Sequence, residues 1–159
     1  IGLVLDALAN SSFASNTDII LWSDHGFHLG EKFHWRKTTL WQESVKIPLL
    51  VSSPGNTDYP VGDVTRNVST LDLAPTVLDL AGIAPFTQFE GLPLDVAMNP
   101  NPVEVFLNNG KARIGNTWKF IDYNLNSSDP TDEAAYKLAI DPNEVTNRIS
   151  EYRNPPGCL

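Results

Sequence analysis

The chain has 159 residues, a formal net charge of -8 at pH 7 and 42% hydrophobic residues. This length suffices for a compact core. The acidic composition argues against a nucleic-acid partner, because such proteins need clustered Lys and Arg. A small anionic substrate stays open, since a pocket can be locally positive. No apolar run approaches the roughly 20 residues of a membrane helix, so we expect no membrane partner.

The first predicted element is a helix. Leu3, Leu5 and Leu8 indicate an apolar face that ends near the polar residues 10–12. The segment lacks a basic start and contains Asp6, so it is not typical of a signal peptide. The chain begins without Met inside this predicted helix. We therefore expect a fragment or a processed chain.

Two short apolar runs predict buried strands. Residues 18–22 (DIILW) are apolar on both faces, which is typical of a covered, mostly parallel sheet. The run stops at Ser23, and the carboxyl end of such a strand is where α/β sheets bind ligands. Residues 47–51 predict the second strand, in which Pro48 is tolerable only at the start or on an edge.

Residues 71–81 predict a helix with local start and stop signals. Pro75 is expected close to its first turn, and Gly82 is well placed as its C-terminal stop. The candidates for its N-cap are Ser69, Thr70 and Asp72.

The character of the sequence changes from about Val96. Residues 99–102 (NPNP) resemble a linker, and Asn, Gly, Asp and Pro turns separate the segments that follow. These segments are residues 103–107, 112–114, 118–123 and 136–140. They predict a small antiparallel sheet. The fold class is thus α/β, with the end of an α/β sheet domain at residues 1–95 and a small α+β subdomain at residues 96–159.

Ionisable residues concentrate in residues 23–37 (SDHGFHLGEKFHWRK), which hold Asp24, Lys37 and all three histidines of the chain. A strand end that delivers carboxylate, imidazole and ammonium groups to one loop favours an oxyanion bound beside a metal. The carboxylate would anchor a divalent cation that polarises an ester oxygen. Lysine would neutralise charge on the leaving group or the anion.

Two other interpretations of this loop stay open on its chemistry alone. One is a solvated loop with ordinary surface histidines. The other is a zinc site formed by Asp24, His25, His28 and His34, since histidine suits zinc better than calcium. However, H-x-x-H without Cys or a helical i,i+4 pair is a poor zinc signature.

Residues 19–51 (IILWSDHGFHLGEKFHWRKTTLWQESVKIPLLV) resemble sulfatases of the alkaline phosphatase superfamily, in the branch of iduronate sulfatases and choline-sulfatase-like enzymes. The similarity lies in S-D-H-G after a strand, a later Gly, a Lys thirteen positions after the Asp, and a buried strand with Pro. It continues in STLDLAPTVLDLAGI, EGLPL, RIGNTWKFIDY and YKLAIDPNEVTN, and so covers nearly the whole chain in order. The resemblance implies the C-terminal portion of an alkaline-phosphatase-like α/β sheet domain, followed by the small α+β subdomain.

The resemblance also implies roles for five residues. Asp24 and His25 are expected to be metal ligands, and the metal is usually calcium. A carboxylate suits a hard cation, whereas an imidazole is a poor calcium ligand and could instead bind the sulfate or orient Asp24. Lys37 matches the lysine that contacts the sulfate, so Lys37 and His25 are the expected catalytic residues. Lys37, His34 and Lys32 are the expected substrate-binding residues.

The nucleophile of this family is a formylglycine made within a C/S-x-P-x-R motif, and the sequence contains no such motif. Only Leu159 follows Cys158, so this cysteine cannot begin one. The paired aspartates that complete the family's metal shell are absent as well. Two ligands cannot hold a calcium ion that takes about six to eight oxygens. We therefore expect the isolated polypeptide neither to hydrolyse sulfate esters nor to bind calcium tightly.

The leading hypothesis is thus a sulfatase segment that binds a sulfated small molecule or sugar, with the missing N-terminal half of the catalytic domain as a second partner. The alternatives are a phosphonate or phosphodiester hydrolase of the same superfamily, and an inactive truncated paralogue that acts as a binding module. By resemblance the compartment would be lysosomal, periplasmic or secreted. N-x-S/T sequons at Asn10, Asn67 and Asn126 add little to this, because an Asn-rich chain produces them by chance.

Overall fold

A computed structural model of the chain describes residues 1–59, 61–95 and 102–153. Its helices are α1 (Gly2–Ala9), α2 (Gln42–Val45), α3 (Leu73–Leu80) and α4 (Ile149–Arg153). Its strands are β1 (Ile19–Trp22), β2 (Leu49–Ser52), β3 (Val103–Leu107), β4 (Gly110–Ile114), β5 (Trp118–Asp122) and β6 (Glu133–Lys137). No helix in these ranges is long and apolar enough to cross a membrane.

The described residues form two compact units. The first unit contains α1, β1, β2 and α3. The second unit contains residues 24–47, which we call the site loop, together with the four-stranded sheet and α4. The predicted linker lies outside the described residues except for Pro102, and Cys158 lies outside them as well. The predicted domain boundary between residues 95 and 96 stays a prediction.

The elements of the first unit begin and end close to their predicted bounds, but its two strands pair differently. β1 and β2 are antiparallel, with Ile20 opposite Val51. The prediction that these runs belong to a mostly parallel sheet is therefore wrong for this pair of strands. Their apolar side chains are also less covered than expected, since Leu21 is 39% exposed and Leu50 is 57% exposed. A run that is apolar on both faces therefore does not fix the direction of the neighbouring strand.

Helix α3 uses the start and stop signals found in the sequence. Ser69 and Asp72 form a capping box on the 3-10 turn Thr70–Asp72, which leads directly into α3; in it the Ser69 hydroxyl accepts a hydrogen bond from the Leu71 N–H at 3.2 Å. The Asp72 carboxylate accepts the Ser69 N–H at 2.8 Å. At the other end, Gly82 has a φ of 70°, and the Ile83 N–H reaches back to the Leu78 carbonyl at 2.8 Å. This left-handed ending favours glycine.

We expect Ser69→Ala to lower the free energy of unfolding by about 1 kcal/mol, because one N–H at the helix start loses its acceptor. The midpoint of urea unfolding measures this change. Thr70→Ala is the matched control, since Thr70 is exposed and follows the cap. Equal midpoints for the two variants would contradict the assignment of Ser69 as the cap.

The four strands of the second unit form an antiparallel sheet, as predicted, and their order is β3-β4-β5-β6. Its core is a cluster of buried side chains to which the site loop contributes Leu40. The members are Leu40, Ala112, Ile121, Ala134 and Tyr136, with Trp41, Val105, Leu107 and Leu138 packed against them. The site loop is therefore attached to this sheet by apolar burial, which stabilises it.

Strand β6 begins earlier than the predicted segment 136–140. Alanines 134 and 135 have low strand propensity, but they are buried opposite Ile121 and Phe120 of β5. The chain then leaves the sheet, since the Ile140 N–H bonds the Lys137 carbonyl at 3.0 Å in a turn. Small side chains at a crowded position thus outweigh intrinsic propensity here.

Candidate active site

The site loop begins two residues after β1 ends, and backbone hydrogen bonds close it onto itself. The Gly26 N–H donates to the Ser44 carbonyl at 2.8 Å, and the His28 N–H donates to the Arg36 carbonyl at 3.3 Å. A Cβ atom on Gly26 would overlap the Glu43 carbonyl oxygen. Only glycine allows this close backbone approach, which fixes the position of the neighbouring His25.

Asp24, His25 and Lys37 meet in this loop. The His25 Nε2 atom lies 2.8 Å from the Lys37 Nζ and 3.3 Å from the Asp24 Oδ2. The His25 Nδ1 lies 2.7 Å from the Gly26 carbonyl oxygen. Because a carbonyl only accepts, Nδ1 carries the proton, and Nε2 accepts from the Lys37 ammonium. The sequence-predicted metal and sulfate residues therefore form one contiguous cluster.

The cluster presents two kinds of group to solvent. The Asp24 side chain is 81% exposed and that of His25 is 33% exposed, and Lys37 is exposed as well. The His25 lone pair accepts from the Lys37 ammonium, and the Asp24 carboxylate lies on the other contact of the same nitrogen. An anion that approached this ammonium would compete with His25 for its protons. The arrangement can therefore bind a cation through oxygen and nitrogen, or an oxyanion through Lys37.

The other two histidines occupy different surroundings. His28 is fully buried, and its Nε2 lies 2.8 Å from the Thr39 Oγ1. His34 packs edge-to-face on His28, with ring centroids 5.0 Å apart, and its Nε2 lies 3.4 Å from the Lys37 carbonyl. His28 is thus a packing residue of the loop. His34 lies beside the Lys37 backbone, and its role in substrate binding stays a prediction.

Lys32 has partners inside the second unit. Its Nζ donates to the Glu144 carbonyl at 2.6 Å and lies 5.1 Å from the ring centre of Trp41 and 5.8 Å from that of Tyr136. A cation over aromatic faces is attracted by their π electrons. The expected contact between Lys32 and substrate stays a prediction, and in this structure its ammonium joins the loop to the terminal sheet.

Local hydrogen bonds shape the turn that precedes His34. The Leu29 N–H donates to the Glu31 carboxylate at 2.7 Å, and this bond holds the pKa of Glu31 below its usual range. Lys32 and Phe33 follow with φ of 53° and 56°, which non-glycine residues seldom adopt. Two consecutive left-handed residues require support from their surroundings, and Lys32 receives it from Glu144.

Sequence reasoning missed the buried ion pair beneath the loop. The Lys119 Nζ lies 2.6 Å from the Glu144 Oε1, and both side chains are fully buried. Burial lowers the pKa of the Lys119 ammonium, and the Glu144 carboxylate opposes that effect. The alternation within β5 could have indicated the burial, because Lys119 lies in phase with the core residue Ile121. Nothing in the sequence identified its partner, 25 residues later.

The cluster contains residue types that bind metals, but it provides fewer ligands than a complete metal site needs. A carboxylate oxygen suits calcium and an imidazole nitrogen suits zinc, and Asp24 and His25 supply one of each. Within the ranges that the structure describes, no group of three or more His, Cys, Asp or Glu is placed to hold a metal ion. The four-residue zinc set is therefore not assembled there, and a calcium ion would need further ligands beyond Asp24 and His25.

Comparison with known proteins extends this picture. The sulfatase family model matches residues 1–83. A sulfatase of Formosa agariphila is 35% identical over 96% of this chain and 30% of its own length. The choline-sulfatase of Rhizobium meliloti is 31% identical over 98% of this chain and 31% of its own length. The chain thus spans under a third of these relatives.

Solved structures share the fold. A phosphonate monoester hydrolase of Agrobacterium radiobacter superposes with a TM-score of 0.73 over 96% of this chain and 34% of that one, at 21% identity. The predicted fold class, part of an alkaline-phosphatase-like α/β sheet domain with a small antiparallel-sheet subdomain, is confirmed. Because the family model covers more than half of its residues, the chain belongs to the sulfatase family of the alkaline phosphatase superfamily.

Proposed function

We propose that this chain supplies metal-binding and sulfate-binding residues to a sulfuric ester hydrolase. The observation that carries the proposal is the convergence of Asp24, His25 and Lys37, with the His25 Nε2 at 2.8 Å from the Lys37 Nζ and 3.3 Å from the Asp24 Oδ2. Membership of the sulfatase family supports sulfate ester hydrolysis at the level of the family.

The roles follow from the chemistry of each group. Lys37 binds the sulfate oxygens and neutralises the charge that they carry as the ester bond breaks. His25, held in one tautomer by Gly26, orients the Lys37 ammonium, and the lone pair on its second nitrogen is of the kind that binds a cation. Asp24 is the ligand for the cation. Calcium, when bound, would polarise a sulfate oxygen as a Lewis acid.

The nucleophile is not part of this sequence, which contains no C/S-x-P-x-R motif. We propose that the N-terminal part of a sulfatase catalytic domain is the partner that completes the site. The purified 159-residue chain is then expected to leave aryl sulfates intact and to bind calcium only weakly. Turnover of an aryl sulfate by this chain would contradict the proposal.

Lys37→Met is expected to abolish the response of the site loop to sulfate, because the substitution removes the ammonium that binds the anion. The measurement is a titration of the chain with inorganic sulfate, followed by the amide NMR signals of the loop. Lys111→Met is the matched control, since Lys111 lies on β4 and pairs with Glu104 at 2.8 Å. An unchanged response in Lys37→Met would contradict the assigned role of Lys37.

The substrate class is a sulfated small molecule or sugar, a proposal supported by the name of the choline-sulfatase relative. A phosphonate or phosphodiester hydrolase is the second candidate, because a phosphonate monoester hydrolase shares the fold. Binding of inorganic sulfate and of methylphosphonate to the same chain compares the two. Stronger loop responses to methylphosphonate would favour the second candidate.

A further inference from the structure

The buried pair of Lys119 and Glu144 is connected to the site loop by several hydrogen bonds. The Glu144 Oε2 accepts the Gln42 N–H at 2.7 Å, and the Lys119 Nζ donates to the Gln42 Oε1 at 3.2 Å. The Glu144 carbonyl accepts the Lys32 ammonium at 2.6 Å. A buried ion pair is a poor source of net stability, so these directed contacts are its more specific contribution.

The turn that carries Glu144 is built to point it inwards. Glu144 has a φ of 54°, in the left-handed region. The Asp141 carboxylate accepts the N–H groups of Val145 and Thr146, each at 2.9 Å. These bonds lower the pKa of Asp141, against the opposing effect of its burial. The turn therefore holds a conformation that the backbone alone disfavours.

Gln42 connects the buried pair to the cluster of Asp24, His25 and Lys37. It is the first residue of α2, whose Ser44 carbonyl accepts the Gly26 N–H at 2.8 Å, next to His25. Lys37 lies between the two residues of the loop that Glu144 holds, Lys32 and Gln42. Lys37 is thus five residues from each attachment to Glu144, and His25 precedes Gly26, whose N–H bonds α2 two residues after Gln42.

We propose that Glu144 and Lys119 are positioning residues, which hold the site loop so that His25 and Lys37 meet. This proposal rests on the function proposed for the cluster. Their effect on the cluster passes through Gln42 and through Lys32. The chain segment that follows β6 thereby becomes part of the catalytic apparatus.

The test isolates one backbone hydrogen bond and leaves the Lys119–Glu144 ion pair intact, because both variants of Gln42 lose the side-chain bond to Lys119 and only one of them also loses the N–H. Gln42→Pro deletes the N–H that Glu144 accepts, at a first helical position where proline is tolerated. The preceding Trp41 is already extended, with φ of -77° and ψ of 159°, as a residue before proline must be. Gln42→Ala is the matched control, because it keeps this N–H.

The readout is the NMR signal of the His25 Nε2 in the full chain labelled with ¹⁵N-histidine, at one pH. Lys37→Met defines the signal without the contact. Gln42→Pro is expected to move His25 most of the way to that value, and Gln42→Ala is expected to leave it close to the wild type. A wild-type signal in a folded Gln42→Pro chain would overturn the proposal.

A second variant covers the case in which Gln42→Pro does not fold. Lys119→Met combined with Glu144→Met replaces the pair with apolar side chains of similar size and removes the acceptor of the Gln42 N–H, and the same shift of His25 is expected. A wild-type His25 signal there, or loss of the sheet in both variants, would overturn the proposal by assigning the pair to general stability. Neither measurement uses sulfate or metal, so its failure is distinguishable from failure of the proposed function.

Discussion

Glu144→Ala is expected to lower the free energy of unfolding by about 3–5 kcal/mol, because it leaves the Lys119 ammonium buried without a counter-charge. Both side chains are fully buried, and the pair distance is 2.6 Å. Domains of this size are stabilised by only about 5–15 kcal/mol in total, so the loss is a large fraction of stability. Urea unfolding measures it as a lower midpoint with an unchanged slope.

The control for this prediction is a partly exposed carboxylate–lysine pair between strands β3 and β4. Glu104 and Lys111 are 2.8 Å apart, with side chains 40% and 30% exposed, respectively. Solvent screens such a pair, and Glu104→Ala is expected to cost about 0–1 kcal/mol. If Glu144→Ala cost no more than Glu104→Ala, the buried pair would not be held as the structure describes.

Gly26→Ala is expected to destabilise the second unit by about 1–3 kcal/mol or more, because the added methyl group meets backbone atoms that cannot move independently. The new Cβ would overlap the Glu43 carbonyl oxygen and lie 2.9 Å from the Lys46 oxygen. The chain around His25 must then move away from α2. We expect the variant to lose the His25–Lys37 contact as well as stability, measured by NMR and by urea unfolding.

A glycine elsewhere in the same unit provides the comparison. A Cβ on Gly115 would lie 3.4 Å from the Trp118 oxygen, which is ordinary van der Waals contact. Gly115→Ala is expected to change stability by no more than about 0.5 kcal/mol and to leave the His25 signal unchanged. If Gly26→Ala behaved in the same way, the close approach of the loop to α2 would be wrong.

Local signals made much of the fold predictable. The Ser69 cap and the Gly82 stop act within a few residues of helix α3, so the sequence displays them directly. The polar turns between the strands of the terminal sheet are also local features, so the sequence displays them directly as well. The antiparallel pairing of β1 with β2 was not predictable, because the runs at residues 18–22 and 47–51 are similar in composition whichever way they pair.

The candidate site likewise has one part that was predictable from the sequence and one part that was not. Asp24, His25 and Lys37 lie within 14 residues of one another and were predicted together from the loop and its family resemblance. The Lys119–Glu144 pair depends on a left-handed turn and on two elements far apart in sequence, which no local pattern encodes. The burial of a charged residue in a strand can be predicted only when it is known which face of that strand points into the core.

The assignment of the site loop to the same unit as the terminal sheet has a consequence for recombination among sulfatases. A chimaera that exchanged only the segment after residue 95 would combine a loop from one parent with a supporting sheet from another. Side chains such as Leu40 of the loop and Ile121 of the sheet, which pack in one apolar cluster, would then have to match across lineages. Inheritance of residues 24–47 and 102–153 from a single parent would preserve that fit, although the two segments are separated in the gene.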